Sequence, residues 1–418
     1  MIARINGKEI SVYKNDIAYY VIYSSADPSP TRVTVELIAD ALMEGEVTVR
    51  PLKQGIRPTL TEGCIRFEAP VPAKLSVEPS DRGALPVFLF LFTAEEPVPT
   101  GAQVRRLEAG EHFMDSLELY SGDTLYLAEG AILHAPLIAM DAENVTVCGR
   151  GIIDVDGCGE NVRRMLDFRR LKHLTVRDVT LTGSHHWCLV LTACEDVVVE
   201  GVNIMTWRCT GDGVDVVGSD HVLIQNCFMR TNDDCVAIKA VDYYDPCGMR
   251  NVHDVTVRGC VMWNARYGNG IEIGFETRCD EICDVVFEDL DIIHCEHEGW
   301  QSGGTITIHN GDRARIHHVT YRDIRVEDSY DKLFDFKVMH SNYSRDEKRG
   351  CVEHILVERV EVVSGAFPPS ILSGHTPDEH LVTNVRFVDV KAFGEPIDSM
   401  VDCRMVAERT KEITFERA

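Results

Sequence analysis

No run of roughly 18 apolar residues, the length a membrane-spanning helix needs, occurs in this sequence. The first ten residues, Met-Ile-Ala-Arg-Ile-Asn-Gly-Lys-Glu-Ile, hold no apolar core of a secretory leader. Positive charge is scarce: 42 Lys and Arg stand against 67 Asp and Glu, a formal net charge of -25. Such a balance repels nucleic acid and anionic lipid, so neither nucleic acid nor a membrane is expected as a partner. No phosphate-cradling glycine loop and no metal-ligand cluster is visible, and Cys279 and Cys283 have poor spacing for zinc. The 15 cysteines are odd in number and lack the spacing of a disulfide framework. With no visible leader, reduced thiols and a cytoplasmic setting are expected.

Helical periodicity is missing as well; the apolar period is two throughout. At 418 residues, two domains or a repeat array is the prior expectation. Residues 1 to about 95 read as short alternating strands, among them Val33–Leu37, Glu46–Arg50 and Ala73–Val77, and predict a small β-sandwich. The punctuated stretch Glu95-Glu96-Pro97-Val98-Pro99-Thr100-Gly101 marks a boundary. A second domain is expected over residues 100 to 418, and from Asn144 onward a motif recurs in it. It runs His173-Leu-Thr-Val-Arg-Asp-Val, Asp196-Val-Val-Val-Glu-Gly-Val, His221-Val-Leu-Ile-Gln-Asn-Cys and Asp254-Val-Thr-Val-Arg-Gly-Cys. Further copies begin at Asp284, His318, His354 and Asn384. One strand-rich unit repeating with variable insertions predicts an all-β solenoid, a parallel β-helix.

The seventh residue of each copy is apolar: Val179, Val202, Cys227, Cys260, Leu290, Ile324, Val360 and Val390. An inward stack demands that, so Cys227 and Cys260 read as core residues rather than metal ligands. A second strand precedes each copy, with Val214, Val236, Ile271, Ile306 and Phe334 pointing inward. Alternation then turns Asp215, Ala237, Glu272, Thr307 and Asp335 outward in one row. Val217, Lys239, Gly274, His309 and Lys337 form a second row. These rows are expected to line a groove suited to an extended chain-like ligand, with Lys239, His309 and Lys337 either binding hydroxyls or neutralising the acids.

Three carboxylates, Asp212 and the adjacent Asp233 and Asp234, flank one compact strand-and-turn unit. If the chain coils there, they face each other on neighbouring turns. Like charges held that close cannot all ionise at ordinary pKa values. Paired carboxylates of split pKa are what acid–base cleavage of a glycosidic bond requires. The same three could instead form a turn ladder or a calcium site. Strict alternation would bury Asp212 and Asp234, but Gly211 and Gly213 allow a bend at that edge. His185, His186 and Trp187 read as a sugar-stacking wall, or Trp187 as a plug of the barrel, and Arg345-Asp-Glu-Lys-Arg349 as a solvated loop.

On these residues the chain resembles the right-handed β-helical polygalacturonases of glycoside hydrolase family 28 over roughly residues 100 to 400. More distantly, it resembles the dextranase and isopullulanase group, to whose layout an N-terminal sandwich is similar. The family's Asn-Thr-Asp-Gly is Thr210-Gly211-Asp212-Gly213, its Asp-Asp is Asp233-Asp234, and its Ser-Pro-x-Trp is Ser184-His185-His186-Trp187. Its Gly-His-Gly is Gly268-Asn269-Gly270, without the histidine. Its Arg-Ile-Lys, which grips a galacturonate carboxylate, falls on Thr307-Ile308-His309.

The resemblance implies an inverting glycoside hydrolase without a cofactor or metal. Asp233 would be the general acid, and Asp212 and Asp234 would activate water. Trp187, His186, Asp215, Lys239, Asn269, Glu272, Thr307, His309 and Lys337 would contact a carbohydrate substrate. With the Arg and Lys gone and Glu272 on the row, a neutral or weakly acidic α-linked glycan is expected. The alternatives are a pectin-derived galacturonide, or a non-catalytic carbohydrate-binding protein on the same scaffold. The oligomeric state stays open.

Overall fold

The repeated motif is a pair of corners around a short strand. In the computed structural model, its first residue (His173, Asp196, His221, Asp254, Asp284, His318, His354 and Asn384) has φ between 52° and 58°. Its sixth residue, from Asp178 and Gly201 to Arg359 and Asp389, has φ between 50° and 67°. This left-handed region is open to Gly and best tolerated otherwise by Asn, Asp and His. The motif's composition is therefore the composition of two left-handed bends, with Arg359 the departure. The seventh residue turns in after the second bend, and all eight are 0 to 2% exposed.

The structure describes all residues except 26–30, 39–45, 62, 82, 95, 96, 98, 160, 242, 244, 297–302, 378 and 418. Glu95, Glu96 and Val98 of the boundary stretch thus lie outside the described residues. The chain divides into two units, Met1–Thr100 and Gly101–Ala418. In the first, two five-stranded sheets share one apolar core, as in a sandwich. Val33, Val35 and Leu37 of Arg32–Ile38 face Leu75, Val77, Leu89 and their neighbours there, while the intervening residues stay partly exposed.

The second unit is a right-handed parallel β-helix, all-β apart from 3-10 turns among the described residues. One of its sheets carries the site. Its relevant strands are β1 (Leu189–Thr192), β2 (Val214–Val217), β3 (Val236–Ala240), β4 (Ile271–Thr277), β5 (Ile306–Asn310) and β6 (Phe334–Val338). They pair in parallel, with Leu189, Val214, Val236, Ile271, Ile306 and Phe334 in register and all fully buried. Burying each such side chain contributes about 1.5–3 kcal/mol.

The two outward rows differ from the pattern that alternation predicts. The pairing slips between β3 and β4, where Lys239 alone stands opposite Gly274, Phe275 and Glu276. A bulge there re-aims side chains, and it carries Phe275 and Glu276 out of the strand's regular alternation. The row Asp215, Glu272, Thr307, Asp335 keeps its register, but every one of these residues is 0% exposed, as is His309. The row forms a sealed layer beneath the groove and presents no surface to a ligand.

Candidate active site

Beside these strands the chain turns between sheets, and the turn residues stack coil on coil. Backbone bonds carry the ladder: Cys188 N to Asp212 O at 3.1 Å, Gly213 N to Asp234 O at 2.8 Å, Cys235 N to Asn269 O at 3.1 Å. Trp187, Asp212, Asp234 and Asn269 therefore lie one above another, with Asp233 beside Asp234. Glycine is required at two of these turns. A Cβ on Gly213 would lie 2.3 Å from the Cys235 carbonyl. Gly268 has φ +64°, and a Cβ there would lie 2.2 Å from Asp233 Oδ1.

The three aspartates sit in unequal surroundings. Asp212, 1% exposed, takes the Lys239 ammonium at 2.7 Å on Oδ2, while Oδ1 has no hydrogen-bond partner among the described residues. Lys239 also reaches Asp215 at 2.9 Å. Asp234, 6% exposed, accepts from Asn269 Nδ2 at 2.8 Å, and Asn269 Oδ1 in turn accepts from Gly304 N at 3.0 Å. Asp233 is half-buried, and its Oδ1 accepts from the Asp234 amide at 3.1 Å.

Burial raises all three carboxyls, and for Asp212 Lys239 opposes that rise while Asp215 adds to it. For Asp234 the Asp233 charge adds next, whereas Lys239 and the Asn269 hydrogen bond oppose it. Asp233 is raised to about 7. Desolvation leads in all three, and Lys239 is the chief opposing influence on Asp212 and Asp233. Burial also works against the Lys239 ammonium, but Asp212 and Asp215 outweigh it and hold its pKa well above the ordinary value.

Of the other residues expected at the groove, Trp187 and His186 are half-buried. Trp187 packs on Val190, Val217 and Val241, outside the helix interior, with Lys239 Nζ 4.0 Å from its ring centroid. His186 Nδ1 lies 2.5 Å from Thr210 Oγ1, and burial lowers its pKa. Lys337 holds Asp335 at 2.8 Å.

His309 is not the neutral residue its ordinary pKa suggests. It bridges Glu272 at 2.9 Å and Asp335 at 3.0 Å. Burial opposes its charge, yet the two carboxylates raise it to about 9. Thr307 Oγ1 also donates to Glu272, and Phe275 stacks over His309 at 4.7 Å between centroids. The acids of the row are neutralised within the wall.

Sequence pattern gave no pointer to four further residues here. Tyr243 OH donates to Glu276 Oε1 at 2.8 Å, and its ring lies 6.2 Å from Trp187. Tyr343 stands 5.5 Å from Phe275, and its hydroxyl is raised by burial and then by Asp233 and Glu276. Both tyrosines lie on connections after strands, where no period marks them. Glu276 is placed by the β4 bulge. Arg345 lies 5.5 Å over the Tyr243 ring. Its loop is less solvated than its charge run suggests, since Arg349 is 8% exposed and Asp346 is tied to Arg278 and Arg313. Elsewhere, Glu281, Cys283 and His317 bring ligand atoms within 4.8 Å of one another, but the Cys283 thiol donates to Asp284 at 3.2 Å.

A family model described as glycosyl hydrolases family 28 matches residues 138–363. A polygalacturonase of Juniperus ashei is 27% identical over 183 residues, covering 43% of this chain and 32% of that protein. The chain spans less than half the length of the curated relatives it matches. Several solved structures share the fold. The Yersinia enterocolitica family 28 exopolygalacturonase has a TM-score of 0.61 and 14% identity, covering 84% of this chain and 85% of that one. Dex49A from Penicillium minioluteum has a TM-score of 0.62 and 12% identity, covering 91% and 79%.

The cytoplasmic expectation is corrected by this likeness, because the polygalacturonases of the matched family are characteristically secreted. Nor do the cysteines support it. They are free, and most are buried in the core as small apolar residues, so their number reflects packing rather than a redox compartment. No helix among the described residues is long and apolar enough to cross a membrane.

Proposed function

Since the chain belongs to glycosyl hydrolases family 28, we propose that it hydrolyses α-glycosidic bonds of galacturonan- or pectin-type chains with inversion. The observation that carries the reading is the unequal environment of three aspartates on adjoining turns. Asp233, raised to about 7, holds a proton near neutrality and gives it to the leaving glycosidic oxygen. Asp212 and Asp234 are each fixed by one donor, Lys239 and Asn269. Together they orient a water on the opposite sugar face and take its proton. The unbonded Asp212 Oδ1 suits that task. Single displacement by water inverts the anomeric centre. Trp187 with Tyr243 and Tyr343 supplies aromatic surface for sugar rings.

The expectation of a neutral substrate rested on Thr307 and an uncharged His309 standing where the resemblance puts Arg and Lys, with Glu272 adding negative charge beside them. All three are sealed, and His309 carries the compensating charge. No repulsive field from that row meets a uronate, and the Juniperus ashei relative is a polygalacturonase. Oligogalacturonides should therefore be cleaved faster than neutral α-gluco- and α-galacto-oligosaccharides at matched concentration, followed by reducing-end release. Faster cleavage of the neutral sugars would overturn the substrate assignment.

A further inference from the structure

A polyuronate needs a cation at the groove, and the positions that would supply one by resemblance are spent. Thr307 is uncharged and buried, and His309 is locked between Glu272 and Asp335. Lys239 is held by Asp212 and Asp215, and Lys332 and Lys337 by Asp335. Arg278 and Arg313 share Asp346, and Arg349 faces Asp312 at 3.8 Å. Each of these charges is neutralised by a carboxylate of the protein.

Arg345 is different. It is exposed, and among the described residues its guanidinium has no carboxylate partner, only the Asn342 carbonyl at 3.5 Å and the face of Tyr243 at 5.5 Å. That ring leads to the aspartates through its neighbours: Tyr243 lies tilted 6.2 Å from Trp187, and Lys239, which grips Asp212, lies 4.0 Å from the Trp187 ring. The loop that carries it is fixed from below. The amides of Arg345 and Asp346 both donate to Asp312 Oδ1, at 2.6 and 2.8 Å, and Asp312 is fully buried. Ser344 Oγ donates to the Gly311 carbonyl at 2.5 Å. A guanidinium on a pinned loop, oriented by an aromatic face, is pre-organised for a bidentate carboxylate.

We infer that Arg345 is the residue that receives a galacturonate carboxylate, in place of the Arg and Lys that the resemblance puts at 307 and 309. This rests on the galacturonide reading of the site. Lysine would not substitute fully, since it lacks the planar fork.

The test compares wild type, Arg345→Leu and Arg345→Lys on oligogalacturonides and on the same oligomers fully methyl-esterified. Arg345→Leu should raise KM for the free acid by roughly 10–100-fold, the range for losing a hydrogen bond to a charged group, with kcat changed only a few-fold. On the methyl ester the variant and wild type should agree within a few-fold. Arg345→Lys should recover part of the loss, and the wild-type advantage should shrink with salt. An Arg345→Leu variant with wild-type KM on the free acid would overturn the assignment, and so would an equal loss on acid and ester, which marks a structural role. A wild type that cleaves neutral oligosaccharides and no galacturonide would overturn the substrate reading and, with it, this one.

Discussion

Asp233→Asn is expected to lower turnover by roughly 10²–10⁴-fold, the range for removing a positioned general acid. The amide keeps the shape and the contact with the Asp234 amide but has no proton to give. The pH profile sharpens the expectation. Wild-type kcat/KM should fall as pH rises through about 7, where Asp233 loses its proton. The variant should lose that alkaline limb along with the activity. Stability runs the other way. Because the folded carboxyl is raised above its unfolded value of 3.8, the folded state binds more protons than the unfolded state between those values, so Asp233 costs stability as pH rises. Above pH 7 the variant should therefore melt at or above the wild-type temperature. An inactive variant that is also less stable there would indicate a structural role. One that keeps near-normal hydrolysis would remove Asp233 from the chemistry.

Lys239→Met should carry the largest stability effect at the site. The ammonium is 4% exposed and sits between two nearly sealed carboxylates. Removing one member of a buried ion group leaves uncompensated charge, at a cost of about 3–5 kcal/mol. Chemical denaturation should show that loss, and Lys239→Met/Asp215→Asn should recover part of it by removing one of the stranded charges. Activity should not recover with it. Without the lysine, Asp212 loses both the chief influence opposing its burial-driven rise in pKa and the donor that fixes its carboxylate toward water. A double variant that regains both stability and turnover would show that Lys239 serves only the fold.

The architecture was legible because a solenoid writes its core into the sequence once per coil. Eight apolar seventh residues and five inward positions on the second strands mark two stacks, and period two excludes helices. The reason for the motif's polar ends was not legible, since His, Asp and Asn at left-handed corners resemble surface residues. The three aspartates could be found from their spacing and the glycines around them. What alternation could not say is how deep an outward row lies. Side chains at 215, 272, 307 and 335 are fully buried, with Lys239 on Asp215 and Phe275 stacked over His309, and that turns an expected binding surface into a buried ion network. The β4 bulge is a local departure from the period, so Phe275 and Glu276 carried no signal. Tyr243, Tyr343 and Arg345 lie on connections, where tertiary contacts alone bring them to the groove.

The most direct measurement is the anomeric form of the first product, followed by proton NMR from the moment wild-type protein meets an α-linked oligogalacturonide. Three aspartates acting on a water predict a β-anomeric reducing end that mutarotates only later. An α-anomer released first, or unsaturated ends formed by elimination, would contradict the account.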